Sequence, residues 1–330
     1  MSVFPATRLR RLRRTPALRA LCDRPLPGPE RFLWPVFVVP GENRREPIAS
    51  LPGQSRHSPD DLLRALAPVA ASGVGGVLIF GQPDAGAKDA VGTSAGDERG
   101  AVPQAVARIR RAFPDLLVFT DVCLCAYTSH GHCGPLAADG TVDNDAAIAL
   151  LGRVAAAHAA AGAHAVAPSA MMDGQVAAIR RALDAAGRMD TLIMSYSTKF
   201  ASAMYGPFRD AEQSSPQQGD RRGYQTSAAN PRLARRESAL DEAEGADILM
   251  VKPALFYLDV LSQLRDRTDL PLAAYNVSGE YAMLAAAAER GWGDLRGMVL
   301  ESIQAIDRAG ADVIISYWAN RYVEFVHDQR

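Results

Sequence analysis

Eight short apolar runs, most of them followed by a longer alanine-rich stretch, limit what this chain can fold into. The runs cover residues 31–39, 75–80, 116–122, 163–169, 191–197, 248–252, 272–277 and 313–318. Helical patterns fill 60–72, 101–113, 145–161, 174–186, 231–244, 257–267 and 299–309. Strand-length apolar runs alternating with helices are βαβ units, which pair their strands in parallel. Gly162, Gly245 and Gly310 stand just past three of the helices, where a left-handed residue commonly ends the helix. Eight units predict an α/β fold, a closed (β/α)8 TIM barrel, over an open doubly wound sheet. The open sheet would also want a G-x-G-x-x-G turn opening a helix after its first strand, and none is present. Pro35 is the awkward residue of the first run, because it cannot donate to a ladder.

Active sites of such barrels sit where strands end and βα loops begin. At those ends the sequence places Asp121 with Cys123 and Cys125, then Ser169, the stretch from Ser195 to Lys199, Lys252, Ser278, and Ser316 with Tyr317. The strand ending in Lys252 and closed by Pro253 is otherwise apolar. An ammonium buried there without a partner tends to shed its proton, and a neutral amine condenses with carbonyls. Lys199, at the end of the preceding strand, would add a like charge and push in the same direction. The competing reading of a single lysine is a side chain that snorkels to water or pairs with an acid such as Asp121.

Cys123, Cys125 and Cys133 form a second cluster, with His130 and His132 in the same loop. Residues two apart in an extended segment share a face. Three thiolates would leave a tetrahedral metal one open position, the pattern of a catalytic zinc site; a histidine in that position would make the site structural. Cys22 stands apart. Three clustered cysteines out of four in a long chain suit a metal or reactive site in a reducing, cytoplasmic setting better than a disulfide framework. Net charge is -1, which gives no global field for nucleic acid, and no run is long and apolar enough to span a membrane.

Residues 200–229 lack clear periodicity and are long for a βα loop, so they read as a lid. Arg209 and Arg221 on that lid suit an anionic substrate. Residues 1–24 hold seven arginines and one acid, Asp23, with Leu9, Leu12, Leu18 and Leu21 able to form an apolar face. They read as an arm lying on a neighbouring subunit, against the alternatives of a transit peptide or disorder. The expected organisation is an N-terminal arm over 1–29 and a catalytic barrel over 30–330.

The strings MSYSTKFASAMYGPFRDA, ILMVKPALFYLD, APSAMMDGQV and DVCLCAYTSHGHCG resemble the porphobilinogen synthase (5-aminolevulinate dehydratase) family over nearly the whole chain. The resemblance implies a lyase that condenses two molecules of 5-aminolevulinate to porphobilinogen, losing two waters, for heme and other tetrapyrroles. By the motifs, Lys252 would be the principal Schiff-base lysine and Lys199 the second. Cys123, Cys125 and Cys133 would be the zinc ligands of the zinc-dependent subgroup. Arg209, Arg221 and Gln225 would bind one substrate carboxylate, and Ser278 and Tyr317 the other. Asp121 and Ser169 would be polar partners at the lysines. Glu237 would bind a magnesium ion at a subunit interface, although Pro231 and Leu233 depart from the charged pattern that often precedes it. The assembly implied is a homo-octamer. An aldolase-like lyase using one lysine on one carbonyl substrate, and a zinc-stabilised scaffold without activity, are the other readings.

Overall fold

The structure, a computed structural model, describes residues 4–327. The first three residues of the expected arm and the last three of the expected barrel range lie outside the described residues. The chain forms β1 (Phe32–Val38), a hairpin of β2 (Arg45–Pro47) and β3 (Ser55–His57), then β4 (Gly76–Gly81), β5 (Leu117–Val122), β6 (Ala165–Pro168), β7 (Leu192–Lys199), β8 (Ile248–Lys252), β9 (Leu272–Asn276) and β10 (Val313–Ser316). β4 pairs in parallel with β1, each strand from β5 to β10 pairs in parallel with its predecessor, and β10 returns to β1 to close the ring. The result is a parallel eight-stranded (β/α)8 barrel, with the hairpin extending its rim. β1 is buried throughout, Pro35 included. Its partners on one side are β10 at Phe32 and Leu33 and then β3 at Phe37 and Val38, and Pro35 falls in the gap between those ladders.

The helices that cover the barrel include Pro59–Ala71, Ala101–Ala112, Asn144–Ala160, Gln175–Ala185, Pro231–Ala243, Leu258–Arg265 and Leu295–Arg308. Their starts are capped by side chains at Asp143, Asn230 and Asp294, each accepting a backbone N–H of the first turn. Their ends include the expected glycines, with φ of 104° at Gly162, 100° at Gly245 and 111° at Gly310. A glycine facing an alanine lets two of the helices lie close: a Cβ on Gly152 would stand 3.1 Å from that of Ala182.

Four local features differ from the sequence reading. β7 runs on to Lys199 and carries an extra residue between Ser195 and Thr198 relative to β8. β10 stops at Ser316, and Tyr317–Arg321 form a 3-10 turn. A helix, Ser278–Glu289, follows β9 where none was predicted; its alanine-rich sequence has no clear polar face to give a period. The lid contains a short helix, Gly206–Glu212. The arm forms a 3-10 turn (Leu9–Arg13) and a helix (Pro16–Cys22), neither with a buried residue. Phe4, Leu9, Leu12 and Leu21 are exposed on it.

Candidate active site

The extra residue in β7 decides where its lysine points. Without it, strict alternation from the inward Tyr196 would turn Lys199 outward. With it, Lys199 pairs in register with Lys252 of β8, and register partners on parallel strands face the same side. Both lysines are buried, and both ammonium nitrogens lie over the Tyr196 ring, at 5.4 and 5.0 Å from its centroid.

Lys252 is boxed by aromatic rings: Tyr275 at 4.2 Å, Phe208 at 4.6 Å, Tyr205 at 5.4 Å and Phe80 at 5.9 Å. Among the described residues no carboxylate lies within ion-pair distance of it. A cation over a ring face gains roughly 0.5–2 kcal/mol. Removing an ion from water costs several kcal/mol even after relaxation. Desolvation therefore wins, and burial, reinforced by the Lys199 charge, lowers Lys252 to about 7. Beyond Lys252, the loop is fixed by Glu280, whose carboxylate accepts the N–H groups of Leu255 and Val277.

Lys199 donates to the Ser169 carbonyl at 2.6 Å. Asp121 faces it from β5, with one carboxylate oxygen buried and unpartnered. Burial raises this carboxyl to about 6, against the opposing pulls of Lys199 and of the hydrogen bond from Ser169. Asp121, Ser169, Lys199 and Lys252 therefore meet at one mouth, at the ends of consecutive strands β5 to β8.

The three cysteines meet beside them. Their sulfurs lie within 4.8 Å of one another, all are buried, and none is in a disulfide. Cys123 and Cys125 are 3.4 Å apart, near the ~3.8 Å that bonds of ~2.3 Å to one tetrahedral metal would impose. Hydrogen bonds within the cluster hold the Cys133 thiol well below its usual value, aided by Arg221 and Lys199. Three soft, buried sulfurs fit a thiophilic divalent cation and not magnesium. Among the described residues this is the one such group of three or more ligating side chains.

Neither histidine joins the sulfurs. His130 contacts the Ala90 carbonyl through Nε2 and accepts the His132 N–H through Nδ1. His132 must donate through Nε2 to the Gln218 carbonyl at 2.9 Å, which leaves Nδ1 facing the Tyr224 hydroxyl at 3.1 Å. The cysteine loop is thus stapled to the lid, with the Gln217 N–H on the His130 carbonyl and Arg221 on the Gly131 carbonyl as further ties.

The lid residues Arg209, Arg221 and Gln225 line one cavity of about 220 Å³. Arg209 Nε, Arg221 Nε and Gln225 Oε1 are buried there without hydrogen-bond partners, as expected of a site shaped for a polar ligand. Ser278 and Tyr317 are buried after β9 and β10. Ser278 accepts the Phe208 N–H and donates to the Met204 carbonyl, tying the lid helix to the barrel. Gly279 permits that approach, since a Cβ there would lie 2.7 Å from Met204 Cα. The Tyr317 hydroxyl sits 3.2 Å from that of Tyr275. Glu237 lies apart from the lysines, half-buried in a separate cavity that Asp173 also lines.

Sequence reasoning missed the aromatic box, Glu280, and a buried lid carboxylate, Glu212, whose Oε2 stands 3.7 Å from Cys125 Sγ. Tyr196, Tyr205 and Phe208 lie within the motifs and Phe80 and Tyr275 outside them, and no spacing rule assigns them to one lysine. Glu212 carries no signal in sequence, because a short helix in a polar loop does not show which acid faces inward.

A family model described as delta-aminolevulinic acid dehydratase matches residues 6–325. Curated proteins named delta-aminolevulinic acid dehydratase from Methanothermobacter thermautotrophicus and Streptomyces coelicolor are 51% and 48% identical, each alignment covering 96% of both chains. A crystal structure of the Toxoplasma gondii delta-aminolevulinic acid dehydratase (porphobilinogen synthase), in complex with the reaction product porphobilinogen, superposes with a TM-score of 0.95 at 43% identity. That match covers 98% of this chain and 92% of the other.

Proposed function

The chain belongs to the delta-aminolevulinic acid dehydratase family, and from that premise we propose that it is a lyase condensing two molecules of 5-aminolevulinate, with loss of two waters, to porphobilinogen for tetrapyrrole synthesis. The observation that carries this reading is the register of Lys199 with Lys252 beside three converging sulfurs. An aldolase using a single lysine has no need of the second amine or of the cysteines.

We assign the roles as follows. The neutral Lys252 amine adds to the keto carbon of one substrate, and the hydroxyl so formed leaves as water with a proton delivered by Asp121, giving an iminium that tethers the substrate. The iminium acidifies the neighbouring carbon and holds it near the second substrate at high effective concentration. Asp121, near neutrality in its proton affinity, takes and returns protons at the lysines, with Ser169 orienting it. Lys199 keeps Lys252 deprotonated and stands as a second amine for the other substrate. Arg209, Arg221 and Gln225 bind one carboxylate. Ser278 and Tyr317 bind the other, Ser278 exchanging its present partners to do so. Cys123, Cys125 and Cys133 hold zinc, which when bound would polarise the second substrate.

Glu237, with Asp173 beside it, is the candidate magnesium ligand, completed by a second copy of the chain. The unburied arm with its exposed Phe4, Leu9, Leu12 and Leu21 supports packing on such a copy, and the resemblance implies an octamer. We take 1–29 as that arm and 30–330 as the catalytic domain. Among the described residues no helix is long and apolar enough to cross a membrane. Three thiols held reduced suit the cytoplasm.

Supplying 5-aminolevulinate alone and developing with an acidic aldehyde reagent for pyrroles tests the reaction. Porphobilinogen is the expected product; imine formation without any pyrrole would reject the condensation. The pH dependence follows from the burial of Lys252. Its amine is protonated below about 7 and free above, so imine formation is expected to rise through about pH 7 and level off. Lys199→Met removes a charge that lowers Lys252, so the midpoint should move up. The rate of borohydride trapping against pH measures it; a midpoint unmoved or shifted down would contradict the coupling.

A further inference from the structure

We infer that Glu212 is a fourth protein ligand of the cation held by Cys123, Cys125 and Cys133, closing its coordination sphere until a substrate displaces it. The inference rests on the metal-site reading above and goes beyond it, since three cysteines alone would leave one position to solvent.

Glu212 is the last residue of the lid helix Gly206–Glu212 and is 3% exposed. Its Oε2 is 3.7 Å from Cys125 Sγ and 3.4 Å from Ser214 Oγ. Among the described residues no lysine, arginine or histidine pairs with it. Lys252 and Arg221 act on it only from beyond ion-pair distance, so its burial is not offset by a direct cation partner. In the structure the contact is a hydrogen bond from the Cys125 thiol to Oε2. A tetrahedral metal with bonds of ~2.3 Å to sulfur and ~2.1 Å to oxygen sets its sulfur and oxygen ligands about 3.6 Å apart. The observed 3.7 Å is that separation within a tenth of an ångström or so. The carboxylate borders the three-sulfur cage on the Cys125 side; it is not within 4.8 Å of all three sulfurs, so ligation requires it to move further toward Cys123 and Cys133.

The same short helix carries Arg209 one turn earlier. A carboxylate captured by Arg209 would therefore bear on the helix that presents Glu212. Substrate binding and release of the fourth ligand would then be one movement.

Metal-free protein titrated with cobalt(II) alone tests this. Wild type is expected to show sulfur-to-cobalt charge transfer with the intense visible bands of a four-coordinate site. Glu212→Gln should keep the charge-transfer band, change the visible envelope, and weaken cobalt binding by about tenfold or more. Glu212→Ala, should the glutamine variant fail to fold, is expected to do the same. A visible envelope identical to wild type in a folded variant overturns ligation by Glu212, even if affinity falls, since the carboxylate would then act through a water. Absence of the charge-transfer band in wild type would instead defeat the metal site itself, and the inference with it.

Discussion

Lys252→Ala is expected to lose porphobilinogen formation by about 10⁵-fold or more, since it removes both the electrophile and the tether that supplies effective molarity. The fold should survive, because the substitution relieves an ammonium buried without a carboxylate within ion-pair distance. The rings around the vacated space would lose packing, and circular dichroism with thermal unfolding separates that cost from the catalytic one. Lys252→Arg is expected to be equally inactive, because guanidinium stays charged and does not form the imine. A variant that kept a tenth of wild-type turnover would remove Lys252 from the mechanism. Lys199→Met should behave differently: it leaves the Lys252 amine in place, so trapping persists while turnover falls.

Stripping the metal is expected to stop pyrrole formation while leaving imine formation at Lys252 intact. The sulfurs and the lysines share a mouth but touch different partners: Lys252 is enclosed by Tyr275, Phe208, Tyr196, Tyr205 and Phe80, the cysteines by one another and the lid. A thiophilic chelator should therefore abolish turnover, and added zinc should restore it. Cys133→Ser should mimic the chelated protein and resist rescue at the zinc level that restores wild type. Lead, which favours thiolates, should inhibit by competition with zinc. The checks are turnover and borohydride trapping on the same samples. Full activity in protein shown to be metal-free would contradict the assignment of the cysteines.

Much of the barrel could be read from the chain because each strand is a short apolar run and three of the helices end at glycines that the backbone does turn left-handed. The lysines and cysteines were legible for a related reason: each sits at or just beyond a strand end, and the fold decides which end is the mouth. The facing of Lys199 was not legible. Alternation from Tyr196 would have pointed it at the helices, and the extra residue that corrects the phase shows only in the pairing of β7 with β8. The Ser278–Glu289 helix was hidden because alanine on every side leaves no period to detect. The lid showed no clear periodicity in the sequence, and its short helix Gly206–Glu212 was not read there. It is held by contacts to the cysteine loop, such as His132 to Tyr224 and Gln218, and tertiary hydrogen bonds of that kind leave no local pattern. Of the histidines that might have completed the metal site, the His132 ring is spent on those ties and the His130 ring on the Ala90 carbonyl and the His132 N–H, and nothing in their spacing says so.

The decisive measurement is reduction with borohydride in the presence of isotopically labelled 5-aminolevulinate, followed by proteolysis and mass mapping of the label. The account requires covalent label on the peptide bearing Lys252, at up to one equivalent per active chain, with turnover lost in step. Label absent from that peptide, or turnover continuing in chains fully modified there, would contradict it.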